Sequence, residues 1–341
     1  MNKEKPLAER FAKLYQRYIA PYFVVSAEPL IIHIPFFRQY AELAENSYGI
    51  LFQYLREKKV YLLCSWGGYI EKEDEVEQLA AWQNEFLKTH KYFIFTHLCN
   101  TKTQLETFGR FGLDAISCNH NSFIDEKIFF PQPNKQKIFD AVYDATLSVW
   151  KRHFLAEKIK KLALIYYNVQ TEKKTESRVK ETFAAAEFFN HTPTGEYKRL
   201  SVREVNECLN LCRVGLCLSE EEGAMYASIQ YLLCGLPVVT TPSRGGRDVF
   251  FDDEYVLTVK PDAGAVKEAV ETLIKKDLSP VDVRQKTLEK IYQHRQRFIN
   301  LIQSIYDREN CRRDFAVEFD KIFFNRLIKN QNHLETIERL R

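Results

Sequence analysis

Between residues 214 and 248 the chain twice passes from an apolar run into a short turn rich in charge and glycine. The first run, 214–218, enters Ser219-Glu220-Glu221-Glu222-Gly223-Ala224-Met225. A strand that hands over to a helix through such a turn presents backbone N–H groups at the helix N-terminus. With the helix dipole, these favour an anionic ligand such as a phosphate. Glu222, beside the turn, can accept hydrogen bonds from sugar hydroxyls. Gln230 follows eight residues on, about two turns along the same helical face, within reach of a ribose hydroxyl. An ordinary helix whose acidic first turn suits its dipole would read the same way, and both readings stay open. The second run, 237–241, enters Thr241-Pro242-Ser243-Arg244-Gly245-Gly246-Arg247-Asp248. Paired glycines let a backbone approach a ligand closely, and Arg244 and Arg247 supply positive charge for a phosphate. A surface loop would carry the same composition. Both turns, however, leave the carboxyl ends of predicted parallel strands, where open α/β sheets bind ligands.

Those turns need a sheet to hold them. Apolar runs at 29–34, 60–65, 92–97 and 115–119 alternate with helical patterns at 38–58, 74–89 and 101–111. A second series has strands at 139–145, 162–168, 187–190, 214–219, 237–241 and 255–259. Helical patterns at 151–160, 176–186, 201–211, 223–234 and 263–275 separate them. Strands alternating with helices predict parallel sheets covered on both faces. Pro131-Gln132-Pro133-Asn134-Lys135-Gln136 reads as a linker between the series. Two last helices are predicted at 279–307 and 311–330.

Composition narrows the function. The 341 residues suffice for about two ordinary domains. Forty-nine basic against 46 acidic residues leave a net charge of +3, which argues against a nucleic-acid binder working by bulk charge. The arginine-rich stretch from Arg295 to Arg313 reads as a solvated helix face. Eight scattered cysteines form no CxxC pair and lie mostly in apolar runs, so they read as reduced, buried thiols. The charged N-terminal segment does not read as a signal peptide, and no apolar run approaches the roughly 18 residues of a membrane span. A cytoplasmic location is expected. No G-x-x-x-x-G-K-[ST] and no G-x-G-x-x-G occurs, which argues against P-loop and ordinary dinucleotide enzymes. Asp252-Asp253-Glu254 are three adjacent acids that do not converge on one ion easily, so no metal site is assigned.

The stretch 219–239 resembles a family. It looks like the glutamate–seven–glutamate signature of retaining GT-B glycosyltransferases of the glycosyltransferase 4 type, roughly S-x-x-E-G followed by E-A-M-A-C-G-x-P-V-V. Glu222 and Gly223 match the first part, and Cys234-Gly235-Leu236-Pro237-Val238-Val239 the last. Gln230 stands where the second glutamate is usual. Gly245 and Gly246 match the glycine pair that follows. Upstream, 119–131 resembles an N-G-V-D…F-x-P passage with His120 in place of the glycine, and 188–191 resembles F-x-G-H. The resemblance implies an arginine and a lysine five apart on the donor diphosphate. Lys151 matches the lysine, Thr146 stands at the arginine, and Arg152 or Arg244 would substitute.

The fold expected is α/β, GT-B, with two Rossmann-like domains facing each other across a cleft. Residues 1–132 would bind the acceptor and 133–310 the nucleotide sugar, with a last helix at 311–341 packing back on the first domain. The resemblance implies transfer of a sugar from a nucleoside-diphosphate sugar to a hydroxyl of a glycan or lipid-linked acceptor, with retention. It implies no cofactor and no metal. Glu222 would orient the sugar. Lys151, Arg152, Gly223, Ala224, Met225, Gln230, Arg244, Gly245 and Gly246 would line the donor site. Trp66, Gly67 and His120 are weaker candidates on the acceptor side. Trp66 reads equally as a packing residue, and a lone histidine such as His120 is more often structural. Phe298, Arg312, Phe323 and Phe324 suit core packing first and docking at the inner face of a membrane second. The rival readings are a non-catalytic GT-B module that binds nucleotide sugar or glycan, favoured by Gln230 and Thr146, and a nucleotide-sugar epimerase, which needs no acceptor. Nothing in the sequence fixes the donor base or the oligomeric state.

Overall fold

The computed structural model describes residues 18–36, 47–167 and 173–341. The N-terminal segment, the start of the helix expected at 38–58 and residue 168 lie outside them. The chain divides into two compact units. One holds residues up to 123 and His294–Arg341, the other Ile124–Gln293.

In the first unit the strands are β1 (Ile19–Ser26), β2 (Ile31–Phe36), β3 (Val60–Trp66), β4 (Phe93–Cys99) and β5 (Ala115–Ser117). Helices α1 (Gly49–Leu55), α2 (Glu73–Thr89) and α3 (Lys102–Arg110) alternate with them. β2 to β5 run parallel in sequence order. Every residue of β3 is buried, as expected of a strand with both faces covered. Thr101 starts α3 by accepting the Gln104 N–H at 3.0 Å. β1 was not anticipated. It adds antiparallel to β2, with a register shift between Val24 and Ser26.

The second unit carries β6 (Phe139–Asp144), β7 (Leu162–Ile165), α4 (Lys173–Thr182), β8 (Glu187–Phe188), α5 (Val202–Leu209), β9 (Cys212–Cys217), β10 (Glu221–Glu222), α6 (Tyr226–Leu233), β11 (Val238–Thr240), β12 (Arg244–Gly245), β13 (Val256–Thr258) and α7 (Ala263–Lys276). Its main sheet has the order β13-β11-β9-β6-β7-β8, and every pairing is parallel. Ser201 and Glu204 form a capping box that starts α5. Two glycines fix α6 against this sheet. A Cβ on Gly215 would lie 2.4 Å from the Tyr231 ring, so only glycine lets that ring rest on β9. The Tyr231 hydroxyl then accepts the Asp144 N–H at 2.6 Å. Gly235, at φ +73°, ends α6. The Gly235 N–H reaches Leu232 O at 3.0 Å and the Leu236 N–H reaches Tyr231 O at 2.9 Å, the paired bonds of a Schellman stop.

The segment 131–136, expected as a linker, is tied to the second unit. The Gln132 N–H donates to Asn210 Oδ1 at 2.7 Å and the Phe130 N–H to Asn206 Oδ1 at 3.1 Å. Arg284 reinforces this with bonds to the carbonyls of Phe129, Leu233 and Glu126. Ile124 and Phe129 are fully buried in this unit's core.

Helix α8 (Pro280–Arg308) starts in the second unit and from His294 belongs to the first. Phe298, Ile302, Ile305 and Tyr306 sink into a cluster with Ile31, Tyr61, Leu63 and Leu98, each contributing about 2 kcal/mol by burial. The structural boundaries thus fall at 123/124 and 293/294, against 132/133 and 310/311 from the sequence. The helix expected at 311–330 is broken. α9 (Phe315–Ile322) gives way to left-handed residues Arg326 and Leu327, then to β14 (Lys329–Asn332), which pairs antiparallel with β1, and to α10 (His333–Arg339). Phe298 is fully buried, and Phe323 and Phe324 pack against the same cluster, so these aromatics serve the core. Among the described residues, no helix is long and apolar enough to cross a membrane.

Candidate functional site

The carboxyl ends of β6, β9 and β11 bring three loops together in the second unit. The first loop, after β6, was expected to open a helix over 151–160. Instead it forms two tight turns, Val149–Lys151 and His153–Ala156, because Arg152 between them is left-handed at φ 50°. The Tyr143 hydroxyl holds the loop by donating to Lys151 O at 2.6 Å. The Lys151 amine, thereby aimed inward, pairs with Glu222 Oε1. Their side chains are only 9% and 13% exposed, so each supplies the countercharge that the other's burial demands. Arg152 is a tether: its Nε reaches Leu218 O at 2.6 Å and its Nη2 reaches Thr241 Oγ1 at 2.9 Å. Thr146 is buried and accepts from the Ser148 hydroxyl at 3.3 Å.

The second and third loops pair as a small parallel ladder, with Glu221 opposite Arg244 and Glu222 opposite Gly245. The Arg244 N–H donates to Glu220 O at 3.0 Å and the Gly246 N–H to Gly223 O at 2.7 Å. Gly245 has φ 95°, a conformation open at little cost only to glycine. Glu222 is therefore placed by a strand, and α6 begins only at Tyr226. The expectation that Glu222 and Gln230 share a helix face is corrected. Gln230 lies near the middle of α6 and is 4% exposed. Ala224 and Met225, before the helix, are also buried.

Arg247 overturns a second expectation. It was read as charge for a phosphate, yet it is fully buried and its guanidinium is spent on protein. Nη1 donates to Ser219 O at 2.7 Å, Nη2 to Thr240 Oγ1 and Thr241 O at 2.6 Å each, and Nε to Asp248 Oδ1 at 2.6 Å. It fastens the loop after β9 to the loop after β11. The sequence shows an arginine beside two glycines but not which way it points. Arg244, by contrast, is 57% exposed and meets Glu221 at 3.0 Å.

His153, which sequence reading passed over, is buried beside the Tyr143 ring at 4.8 Å. Burial first, and then the neighbouring Lys151 charge, lower its pKa from 6.5 to about 4, so the imidazole is neutral next to the lysine. In the first unit, Trp66 is 1% exposed and packed on His97 and Phe108, which leaves no ring face for a ligand. Gly67 is exposed just beyond β3. His120 sits in a buried turn, its N–H donating to Asn100 Oδ1 at 3.1 Å. Among the described residues, no group of three or more His, Cys, Asp and Glu side chains is placed to hold a metal ion.

Comparisons with known proteins agree on the architecture. Residues 171–276 match the family described as glycosyl transferases group 1. The structure of TarM superimposes with a TM-score of 0.51 at 13% identity, over 75% of this chain and 58% of that one. The chain thus spans less than two thirds of TarM. Alr3699/HepE of Anabaena, solved with UDP-glucose, gives a TM-score of 0.56 at 12% identity, over 78% and 84% of the two chains. Sucrose-phosphate synthase of Thermosynechococcus elongatus gives 0.53 at 15% identity, over 81% and 74%. The chain has the GT-B fold. No curated protein sequence matches it.

Proposed function

We propose that the protein is a glycosyltransferase that moves a sugar from a nucleoside-diphosphate sugar to a hydroxyl of a glycan or lipid-linked acceptor, with retention at the anomeric carbon. The observation that carries this reading is the buried Lys151–Glu222 pair at the carboxyl ends of β6 and β9. It lies in the unit that contains residues 171–276, the stretch matched by the group 1 glycosyltransferase family, on a fold shared with a protein solved with UDP-glucose.

In the reaction the bond from the anomeric carbon to the diphosphate breaks, and the diphosphate oxygen keeps the electron pair. The acceptor hydroxyl oxygen forms the new bond and gives up its proton to the departing diphosphate oxygen. The barrier lies in leaving-group departure, so the residues that matter stabilise charge developing on the diphosphate. Lys151 and Arg244 would supply cations. The backbone between Gly223 and Met225, with that of Gly245 and Gly246, would supply close approach. Glu222 would accept hydroxyls of the transferred sugar, and Gln230 would reach the ribose.

The rival reading, a non-catalytic nucleotide-sugar module, draws on Gln230 and Thr146, where the resemblance has a glutamate and an arginine. Turnover separates the two. Nucleoside diphosphate released from UDP-, GDP- and ADP-glucose is measured with a panel of glycan acceptors. A glycosyltransferase releases it in an acceptor-dependent manner, and Glu222→Ala slows release by about 100-fold or more. Nucleotide binding without turnover on any acceptor would favour the module.

A further inference from the structure

Four cations stand at the three converging loops, and they are not equally available. Arg247 is fully buried and spent on Ser219, Thr240, Thr241 and Asp248. Arg152 is committed to Leu218 O and Thr241. Lys151 is already paired with Glu222 at 9% and 13% exposure, so a diphosphate would share it with that carboxylate, since parting the pair without replacement leaves a buried charge bare. Arg244 differs. Its side chain is 57% exposed, and its partner Glu221 is 27% exposed at 3.0 Å. A pair this open is held weakly and exchanges partners readily.

We infer that Glu221 is a resident competitor for Arg244, and so sets how tightly the site holds a nucleoside diphosphate. The inference rests on the donor-site reading above. Glu221 and Arg244 face each other in register across the β10–β12 ladder. Their backbones are locked there by the bonds from Arg244 N to Glu220 O and from Gly246 N to Gly223 O. The carboxylate is therefore presented to the guanidinium, one oxygen 3.0 Å from Nη2, with the negative charge that a phosphate would bring. A diphosphate entering beside Gly245 and Gly246 must displace Glu221 before Arg244 can grip it. The same carboxylate reclaims Arg244 when the nucleotide leaves. Affinity for the nucleotide product is lowered, and its release is hastened, by a residue that touches neither sugar nor phosphate. Glu221 is in this sense a positioning residue and not a catalytic one.

The test is a double-mutant cycle on the full chain, read by calorimetric titration with UDP, GDP and ADP. The variants are Glu221→Gln, Arg244→Ala and both together. Glu221→Gln keeps size and polarity but removes the charge, and it tightens the preferred diphosphate by about fivefold, the scale of one exposed ion pair. Arg244→Ala weakens binding, and in that background Glu221→Gln no longer tightens it. The loss of the effect marks competition for Arg244 as opposed to a general field. Wild-type binding that Glu221→Gln leaves unchanged overturns the inference while the donor-site reading stands. Equal tightening in the presence and absence of Arg244 overturns it as well. If neither wild type nor Glu221→Gln binds any of the three diphosphates, the donor-site reading falls and this inference falls with it.

Discussion

Replacing Arg247 by methionine tests whether the site is held by a buried guanidinium. Methionine keeps most of the volume and the apolar stem but offers no donor. Five acceptors lose this donor: Ser219 O and Oγ, Thr240 Oγ1, Thr241 O and the Asp248 carboxylate. Thr240 retains its bond to Cys217 O at 3.1 Å, and Asp248 is 38% exposed and can turn to water. The carbonyls of Ser219 and Thr241 remain buried, at about 1–3 kcal/mol each. Relief from burying the guanidinium offsets part of this, so the net cost is about 3 kcal/mol. That corresponds to a fall in Tm of about 10 °C for a unit of this size. The assay is thermal and urea unfolding of wild type, Arg247→Met and Arg247→Lys, with nucleotide affinity measured below the transition. Arg247→Lys regains one or two of these contacts and recovers less than half the loss. Because Arg247 joins the loops after β9 and β11, the methionine variant also loses nucleotide affinity while still folded. A cost under about 1 kcal/mol with unchanged affinity would refute the view that this arginine builds the site.

Acid destabilises the protein through its histidines. Burial lowers His33, His153 and His294 from 6.5 to about 4 and His97 to about 3. Above 6.5 both folded and unfolded forms are neutral and the stability is fully present. As pH falls toward 4 only the unfolded chain takes up the protons, and stability is lost. At pH 5 a single such histidine costs about 2 kcal/mol. Urea midpoints at pH 7.5 and 5 check this, and His153→Phe removes about one histidine's share of the loss; equal midpoints for wild type would refute it. Burial also raises the thiols, Cys118 and Cys234 to about 12 and Cys208 to about 11. Only Cys208 and Cys311 are not fully buried. Native protein therefore reacts with a thiol reagent at those two positions at most, and the other six appear after unfolding. Rapid native labelling of more than two thiols would contradict the packing.

The sequence carried the parallel cores because their strands are built mostly of apolar residues. β3, β4, β6, β7, β9 and β11 all fall on predicted strands. It did not carry β14, Lys329-Asn330-Gln331-Asn332, which has no apolar alternation and is held through its pairing with β1. β1 went unseen for a related reason, since its apolar residues follow no simple alternation. Helix signals misled where a single backbone conformation intervened. Arg152 in the left-handed region splits 151–160 into two turns, and pairing with Arg244 and Gly245 makes Glu221 and Glu222 a short strand, so that the helix predicted from 223 starts only at Tyr226. In the site, Lys151 and Glu222 were named from the sequence, and the structure brings them into contact. Arg247 and Arg244 looked alike as loop arginines. Direction separates them, one pointing into the protein and one along its surface, and residue type does not encode that.

The central claim is that the three converging loops bind a nucleoside diphosphate. Its most direct test is the melting temperature of wild type, Lys151→Ala and Glu222→Ala against UDP, GDP, ADP and CMP. A ligand at 100 times its Kd stabilises by about 2.7 kcal/mol. The account predicts a rise in wild-type Tm with one of the diphosphates, little with CMP, and loss of the rise in Lys151→Ala. No shift with any nucleotide, or a shift that survives in Lys151→Ala, would contradict it.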